Sequence, residues 1–282
     1  MGFKYSITLS SFRKIESIDQ TLARLKAQGY DAVEMFGEPD EINLRDFRNK
    51  IGSFDIKVCG VTGMWGRISE ESWKRKLLSL DPTLVSHSEN YLRKCIEMCE
   101  YLGGKEINVC LFADDDSILF DANHYVISEN LKQSTIKRVI PILSSLARYA
   151  SDHNVELLIE PLNRYSTPYC TTAKDAIYIA ELVNHSNLGI MLDTFHMNIE
   201  ESSLEQAIGD SKDFLRHTHF AENNRAMPGC GHLDFESIVK TLHKIRYDKY
   251  ISFEPNLAEV DYKSATLKGL NLIKRLENSA SY

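Results

Sequence analysis

The chain has 282 residues, 43% hydrophobic and 26% charged, with a formal net charge of −7. That composition supplies a sizeable globular core and argues against nucleic acid, whose phosphates call for a basic footprint. No apolar run approaches the roughly 20 residues a membrane helix needs, so neither a nucleic-acid nor a membrane partner is expected. The opening MGFKYSITLS lacks the charged-then-apolar form of a signal peptide. Gly2 and Ser6 fit the loose N-myristoylation pattern, but Phe3 to Leu9 reads better as a first strand. Six cysteines are scattered among apolar neighbours without a CxxC pair, which implies reduced thiols and a cytoplasmic setting.

Short apolar runs rich in β-branched and aromatic residues alternate with amphipathic stretches. The runs are KYSITLS near 4–10, DAVEMFG near 31–37, IKVCGVTG near 56–63, KEINVCLF near 105–112, VELLIEP near 155–161, LGIMLDT near 188–194, LRHTHFAE near 215–222 and YISFEP near 250–255. Between them, IDQTLARLKAQG puts Ile18, Leu22 and Leu25 on one helical face and ends at Gly29, a C-cap residue. TIKRVIPILSSLARYASDHN repeats Ile136, Val139, Ile140, Leu143, Leu146 and Ala147 with the same period. AKDAIYIAELVNH and FESIVKTLHKI follow suit. Alternating strands and helices favour parallel pairing through right-handed crossovers. Eight candidate strands match a closed (β/α)8 TIM barrel, one domain spanning 1–282. An open doubly wound sheet would carry a Gly-rich turn after its first strand, and ITLSSFRK has none. The stretch 64–90 exceeds a simple connection and suggests a lid or helix-bearing insertion over the barrel mouth.

In such a barrel, chemistry sits at the C-terminal ends of the strands. The sequence places Glu34 at the end of the second, Glu160 of the fifth, Asp193 of the sixth and Glu254 of the eighth. The seventh carries His217 and His219, with Glu222 just beyond. Glu160, Asp193, His219 and Glu254 form a set of three carboxylates and one imidazole that repulsion would partly protonate unless a cation joined them. Oxygen-rich donors with one nitrogen suit Mn²⁺, Mg²⁺ or Co²⁺, and four protein ligands leave two octahedral positions for a substrate. Taken singly, each has an ordinary alternative. Asp193 could be a helix N-cap, Glu160 a helix-entry residue and His219 a hydrogen-bonding group.

LDTFHMNIEE, HTHFAENNRAMPGCGHLDF and IEPLNRY together resemble the sugar phosphate isomerase/epimerase (xylose isomerase-like) superfamily, and within it the D-tagatose and D-psicose 3-epimerases. The similarity runs from about Glu156 to Pro255. It implies a (β/α)8 barrel and a divalent metal, Mn²⁺ or Co²⁺, held by Glu160, Asp193, His219 and Glu254. It implies a small-molecule sugar substrate, with Glu160 and Glu254 also the catalytic acid/base pair and His196 and Arg225 contacting oxygens near C1 and C2. A homo-oligomer, dimer or tetramer, follows from the same resemblance. The epimerases carry a second carboxylate six residues after the first metal glutamate, where this chain has Ser166, and their final motif is EPF, where it has Glu254-Pro255-Asn256. Ser166 is thus expected at the sugar end of the pocket; Trp65 is read either as covering the sugar's apolar side or as a core residue.

The implied reaction is epimerisation of a ketose at C3. A proton leaves C3, an enediolate forms with its charge on O2, and a proton returns on the other face. An aldose–ketose, hydroxypyruvate or keto-sugar isomerase would share that intermediate. An apurinic endonuclease would need more histidines and a basic face, and a non-catalytic sugar sensor would be expected to lack a ligand. His217 and Glu222 are expected to be hydrogen-bonding groups behind the site.

Overall fold

The computed structural model describes residues 2–64, 71–114, 127–257 and 261–280. Eight parallel strands form one sheet: β1 (Lys4–Ile7), β2 (Ala32–Phe36), β3 (Lys57–Thr62), β4 (Glu106–Val109), β5 (Glu156–Ile159), β6 (Leu188–Asp193), β7 (Leu215–Phe220) and β8 (Tyr250–Phe253). Neighbours around the sheet run β1-β8-β7-β6-β5-β4-β3-β2. A parallel bridge between Thr8 and Glu34 joins the two ends of that order. The ring is therefore nearly closed, a (β/α)8 TIM barrel. Each predicted apolar run contains one strand, shorter at its C-terminal end than the run.

The helices are α1 (Ile18–Gln28), α2 (Leu44–Ser53), α3 (Pro82–Leu102), α4 (Glu129–Asp152), α5 (Ala173–Val183), α6 (Thr194–Glu200), α7 (Leu204–Asp210), α8 (Phe235–Lys244) and α9 (Tyr262–Ala280). Their apolar stripes explain their docking. In α4, Ile136, Val139, Leu143, Leu146 and Ala147 are buried at helical spacing, while Ile140 is half-buried. Gly29 ends α1 with φ 89°, its N–H donating to the Leu25 and Lys26 carbonyls, a left-handed cap that glycine adopts without a Cβ penalty. Glu277 in α9 is buried and accepts from the Phe3 N–H at 2.6 Å and from the Tyr5 hydroxyl. That pair ties the last helix to the first strand.

Three local departures follow from packing. Leu9 and Ser10, read as the end of β1, belong to a 3-10 turn, Leu9–Phe12. Leu9 and Phe12 are both buried, and a three-residue period puts them on one side. Leu111 is buried in irregular chain beyond β4, so its apolarity does not extend the strand. Within the 64–90 stretch, α3 already starts at Pro82, preceded by a 3-10 turn at Ser72–Lys74. Residues 65–70, including Trp65, lie outside the described residues. Five cysteines are buried, Cys230 is exposed, and all six are free thiols. Among the described residues no helix is long and apolar enough to cross a membrane.

Candidate active site

The polar strand ends converge at the barrel mouth. One donor atom each from Asp193, His219 and Glu254 lie within 4.8 Å of one another, as do donors from Glu160, Asp193 and His196. Asp193 belongs to both groups; Glu160 shares its group with His196 rather than with His219 and Glu254, so the four expected ligands meet only through Asp193. A third group joins Glu34, His217 and His219.

Asp193 serves two purposes. Its Oδ1 accepts from the Phe195 N–H at 2.8 Å and caps α6, while Oδ2 accepts from Arg225 Nη1 at 2.8 Å. The N-cap alternative is correct, and it fixes the carboxylate so that its second oxygen faces the mouth. Because α6 starts directly after β6, His196 is carried back over the same site and is buried. Its Nδ1 accepts from the Asn163 backbone N–H at 3.1 Å, with Asn163 Nδ2 at 2.8 Å. Burial lowers the His196 pKa. The ring is therefore neutral with its proton on Nε2, which lies 3.8 Å from Asp193 Oδ2. Arg225 Nη1 lies 3.5 Å from the same nitrogen.

Glu160 is 1% exposed. Its Oε2 accepts from Asn108 Nδ2 at 2.5 Å and from the Cys110 thiol at 3.3 Å. Burial pushes its carboxyl up to about 7; nearby Glu254 and Asp193 add to the rise, and His219 offsets part of it. Glu254 moves the other way. Burial opposes its charge, but Arg225 and His219 outweigh that and bring it down to about 2. Arg225 bridges Glu254 Oε2 and Asp193 Oδ2. The residue has φ 62°, an uncommon backbone state for a non-glycine side chain. Its guanidinium stacks on Phe195 at 4.7 Å, and its carbonyl accepts from the Asn256 N–H at 2.7 Å.

His219 is oriented from behind. Its Nε2 donates to Glu34 Oε2 at 2.8 Å, and Glu34 Oε1 accepts from the Thr62 hydroxyl at 2.9 Å. His219 Nδ1 is left buried without a hydrogen bond, 3.3 Å from Glu254 Oε2. Burial opposes its charge, but Glu34 and Glu254 hold the ring protonated; with Glu34 on Nε2, Nδ1 is the nitrogen a metal would take in place of its proton, as a metal-ligating histidine requires. The donor set, three carboxylates and this nitrogen, fits a divalent cation. Deeper in the barrel, His217 lies 2.6 Å from Glu106 Oε1 and 3.3 Å from Glu34 Oε2. Burial opposes its charge, but Glu106 and Glu34 prevail and raise it to about 9, so it is a buried cation that offsets both. Glu222 accepts from the Gly229 and Leu233 N–H groups at 2.9 and 3.1 Å. A Cβ on Gly231 would lie 2.4 Å from Glu222 Oε2, so the loop after β7 closes against that carboxylate only with glycine there. Glu222 is thus a hydrogen-bonding group behind the site, as expected, whereas His217 is held by ion pairs alone, its two ring nitrogens making no hydrogen bond.

Ser166 is half-buried on the loop after β5, its N–H donating to the Asn163 carbonyl at 2.9 Å. Sequence reasoning left out Asn108, Cys110, Asn163 and the Glu34–His219 contact. Asn108 was detectable as an amide inside the apolar run KEINVCLF; the others depend on distant partners. Glu34→Gln keeps the side chain's shape but weakens its hold on His219. It is expected to lower Mn²⁺ affinity about 10–100-fold, measured by paramagnetic-resonance titration, with little change in secondary structure.

The chain is 27% identical over 240 residues to the ketose 3-epimerase of Arthrobacter globiformis, covering 85% of this chain and 78% of that protein. It is 29% identical over 248 residues to the 3-dehydro-D-guloside 4-epimerase of Escherichia coli K12, covering 87% and 90%. The crystal structure of D-psicose 3-epimerase with D-tagatose from Clostridium cellulolyticum H10 superposes with a TM-score of 0.80 at 21% identity, covering 98% of this chain and 99% of that one. The model of the xylose isomerase-like TIM barrel family matches residues 22–276. With the barrel and the cluster at its mouth, this places the chain in the family of xylose isomerase-like TIM barrels.

Proposed function

We propose that the protein is a divalent-metal-dependent sugar epimerase that inverts the carbon beside a ketone, C3 of a 2-ketose. The observation that supports this most is the placing of two carboxylates, buried Glu160 after β5 and half-buried Glu254 after β8, on different arcs of the ring. Both belong to the donor groups built around Asp193. Inversion needs a proton acceptor on one face of the reacting carbon and a donor on the other, and two carboxyls exchange these roles between the forward and reverse directions. Similarity to epimerases over most of the chain supports the same reading.

Glu160, Asp193, His219 and Glu254 would hold the ion, Mn²⁺ or Co²⁺ in preference to Mg²⁺. When bound, it supplies Lewis-acid stabilisation of negative charge developing on substrate oxygens. Glu160 and Glu254 move the proton at C3. His196 donates its Nε2–H to a substrate oxygen, and Arg225 turns its guanidinium toward the sugar while remaining tied to Asp193. Asn108 and Cys110 keep Glu160 in one rotamer, and Asn163 sets the His196 tautomer.

A second reading has a specific observation in its favour. Ser166 stands where the epimerases that the sequence resembles hold the C1 hydroxyl with a carboxylate, so a free C1 hydroxyl need not be recognised. The same machinery could then invert C4 of a 3-keto sugar, as the name of the Escherichia coli relative indicates for that protein. Chelation tests what both readings share. Activity on a panel of ketoses and 3-keto sugars is expected to fall on the order of a hundredfold or more in chelator-treated protein, and to return with Mn²⁺ or Co²⁺. Full activity without metal contradicts the proposal.

A further inference from the structure

Beside Glu254 the mouth opens into a cavity of about 730 Å³ whose lining includes Ser10, Ser11, Arg13, Lys14, Arg225 and Asn256. It lies between the turn after β1 and the loop after β8, two strands that pair side by side. His196 and Ser166 stand on the other arc, after β6 and β5. A sugar lying across Glu160 and Glu254 with one end toward His196 and Ser166 therefore sends its other end into this cavity.

The walls there are not those of a site for a neutral sugar end. Arg225, already paired with Asp193 and Glu254, serves the reacting end of the sugar; Arg13 and Lys14 are the other two cations of the lining. The Arg13 guanidinium is held over the Phe36 ring at 4.3 Å. Its ion pair with Glu41 is long, 3.9 Å, and joins side chains 31% and 40% exposed. Lys14 is exposed, and among the described residues it takes part in no ion pair. Ser10 and Ser11 add hydroxyls to the same lining, Ser11 Oγ lying 2.9 Å from Thr8 Oγ1. Two cations at the rim of a concave site, one pre-set by stacking, bind an anion better than the hydroxyls of a neutral sugar.

We propose, resting on the ketose reading above, that Ser10, Ser11, Arg13 and Lys14 bind an anionic group, a phosphate ester or a carboxylate, on the end of the substrate remote from the reacting carbon. In the Mn²⁺-loaded protein, kcat/KM for D-fructose 6-phosphate or D-fructuronate should then exceed that for D-fructose at least about tenfold. KM should carry the difference, and the preferred anion tells phosphate from carboxylate. In the Arg13→Ala, Lys14→Ala double variant that preference should collapse toward unity, and Lys14→Arg should keep most of it. No preference in the wild type, or an equal loss for charged and neutral sugars in the variant, overturns the proposal. Calorimetry with the unreactive pair D-glucitol 6-phosphate and D-glucitol separates this from the epimerase reading. Tighter binding of the ester, lost in the double variant, supports the subsite even if no ketose is turned over, an outcome that would count against the epimerase reading alone. Equal binding of the two alditols counts against the subsite.

Discussion

Glu160→Gln is expected to lower kcat by about 10³-fold or more while the barrel stays folded. The amide is nearly isosteric, but it cannot take a proton from carbon and is a poorer ligand for a divalent ion. Stability should change little or rise. The wild-type carboxyl is buried beside Glu254 and Asp193, and burial already pushes it up to about 7, so the native charge is unfavourable without a cation. Asn108 Nδ2 and the Cys110 thiol both donate to Oε2, and a correctly turned glutamine can still accept there. Circular dichroism and urea titration check the fold, and turnover of the best ketose checks activity. Loss of activity together with loss of folding would give Glu160 a structural role instead.

His219→Ala combines two losses. It removes the nitrogen expected to meet the metal, and it strips Glu34 of its 2.8 Å donor. Glu34 is 3% exposed and is held charged against burial by His219 and His217. Breaking a buried pair from one side is costly, and with only His217 and Thr62 left to hold Glu34 a destabilisation of about 3 kcal/mol is expected, with a loss of measurable Mn²⁺ binding. Sign matters for pH. The folded-state pKa of Glu34 is depressed, so its contribution is present above the ordinary carboxylate range and lost as pH falls through the lowered value. The folded-state pKa of His219 is raised instead, so its share is fully present only below the ordinary imidazole range, and the mutant's deficit should be largest at mildly acidic pH, between the two ranges. His219→Gln, which can still donate to Glu34, should recover much of the stability without the metal affinity. Urea denaturation read beside metal titration separates the two effects.

Much of the barrel is legible because its strands are buried on both faces and read as apolar runs broken by amphipathic helices. The strand ends are legible for the same reason, since Asp193 after LGIML or Glu160 after ELLI interrupts an otherwise apolar pattern. The coupling between elements is not. Glu34 and His219 are 185 residues apart, and neither sequence neighbourhood announces the other. His196 could be assigned a face by its place three residues after Asp193. Its tautomer depends on Asn163, which reaches it only because the β5 loop folds over α6. The turn Leu9–Phe12 was hidden by its own hydrophobicity, since buried leucine and phenylalanine serve a strand and a 3-10 turn alike. Arg225 was legible only through the family resemblance. That it bridges Asp193 and Glu254 depends on a left-handed backbone state that sequence does not mark.

The central claim is that the carboxylates of β5 and β8 exchange a carbon-bound proton at the position next to a ketone. Incubation of the Mn²⁺-loaded protein with D-fructose in deuterated water, followed by ¹H and ¹³C NMR, tests it most directly, with a ketose phosphate and a 3-keto glycoside run in parallel. The account predicts deuterium at the carbon that is inverted, C3 of a 2-ketose or C4 of a 3-keto sugar, with the epimer appearing alongside and no label when Glu160 or Glu254 is glutamine. Exchange confined to C1 would assign an aldose–ketose isomerase, and inversion without any deuterium incorporation would contradict the account.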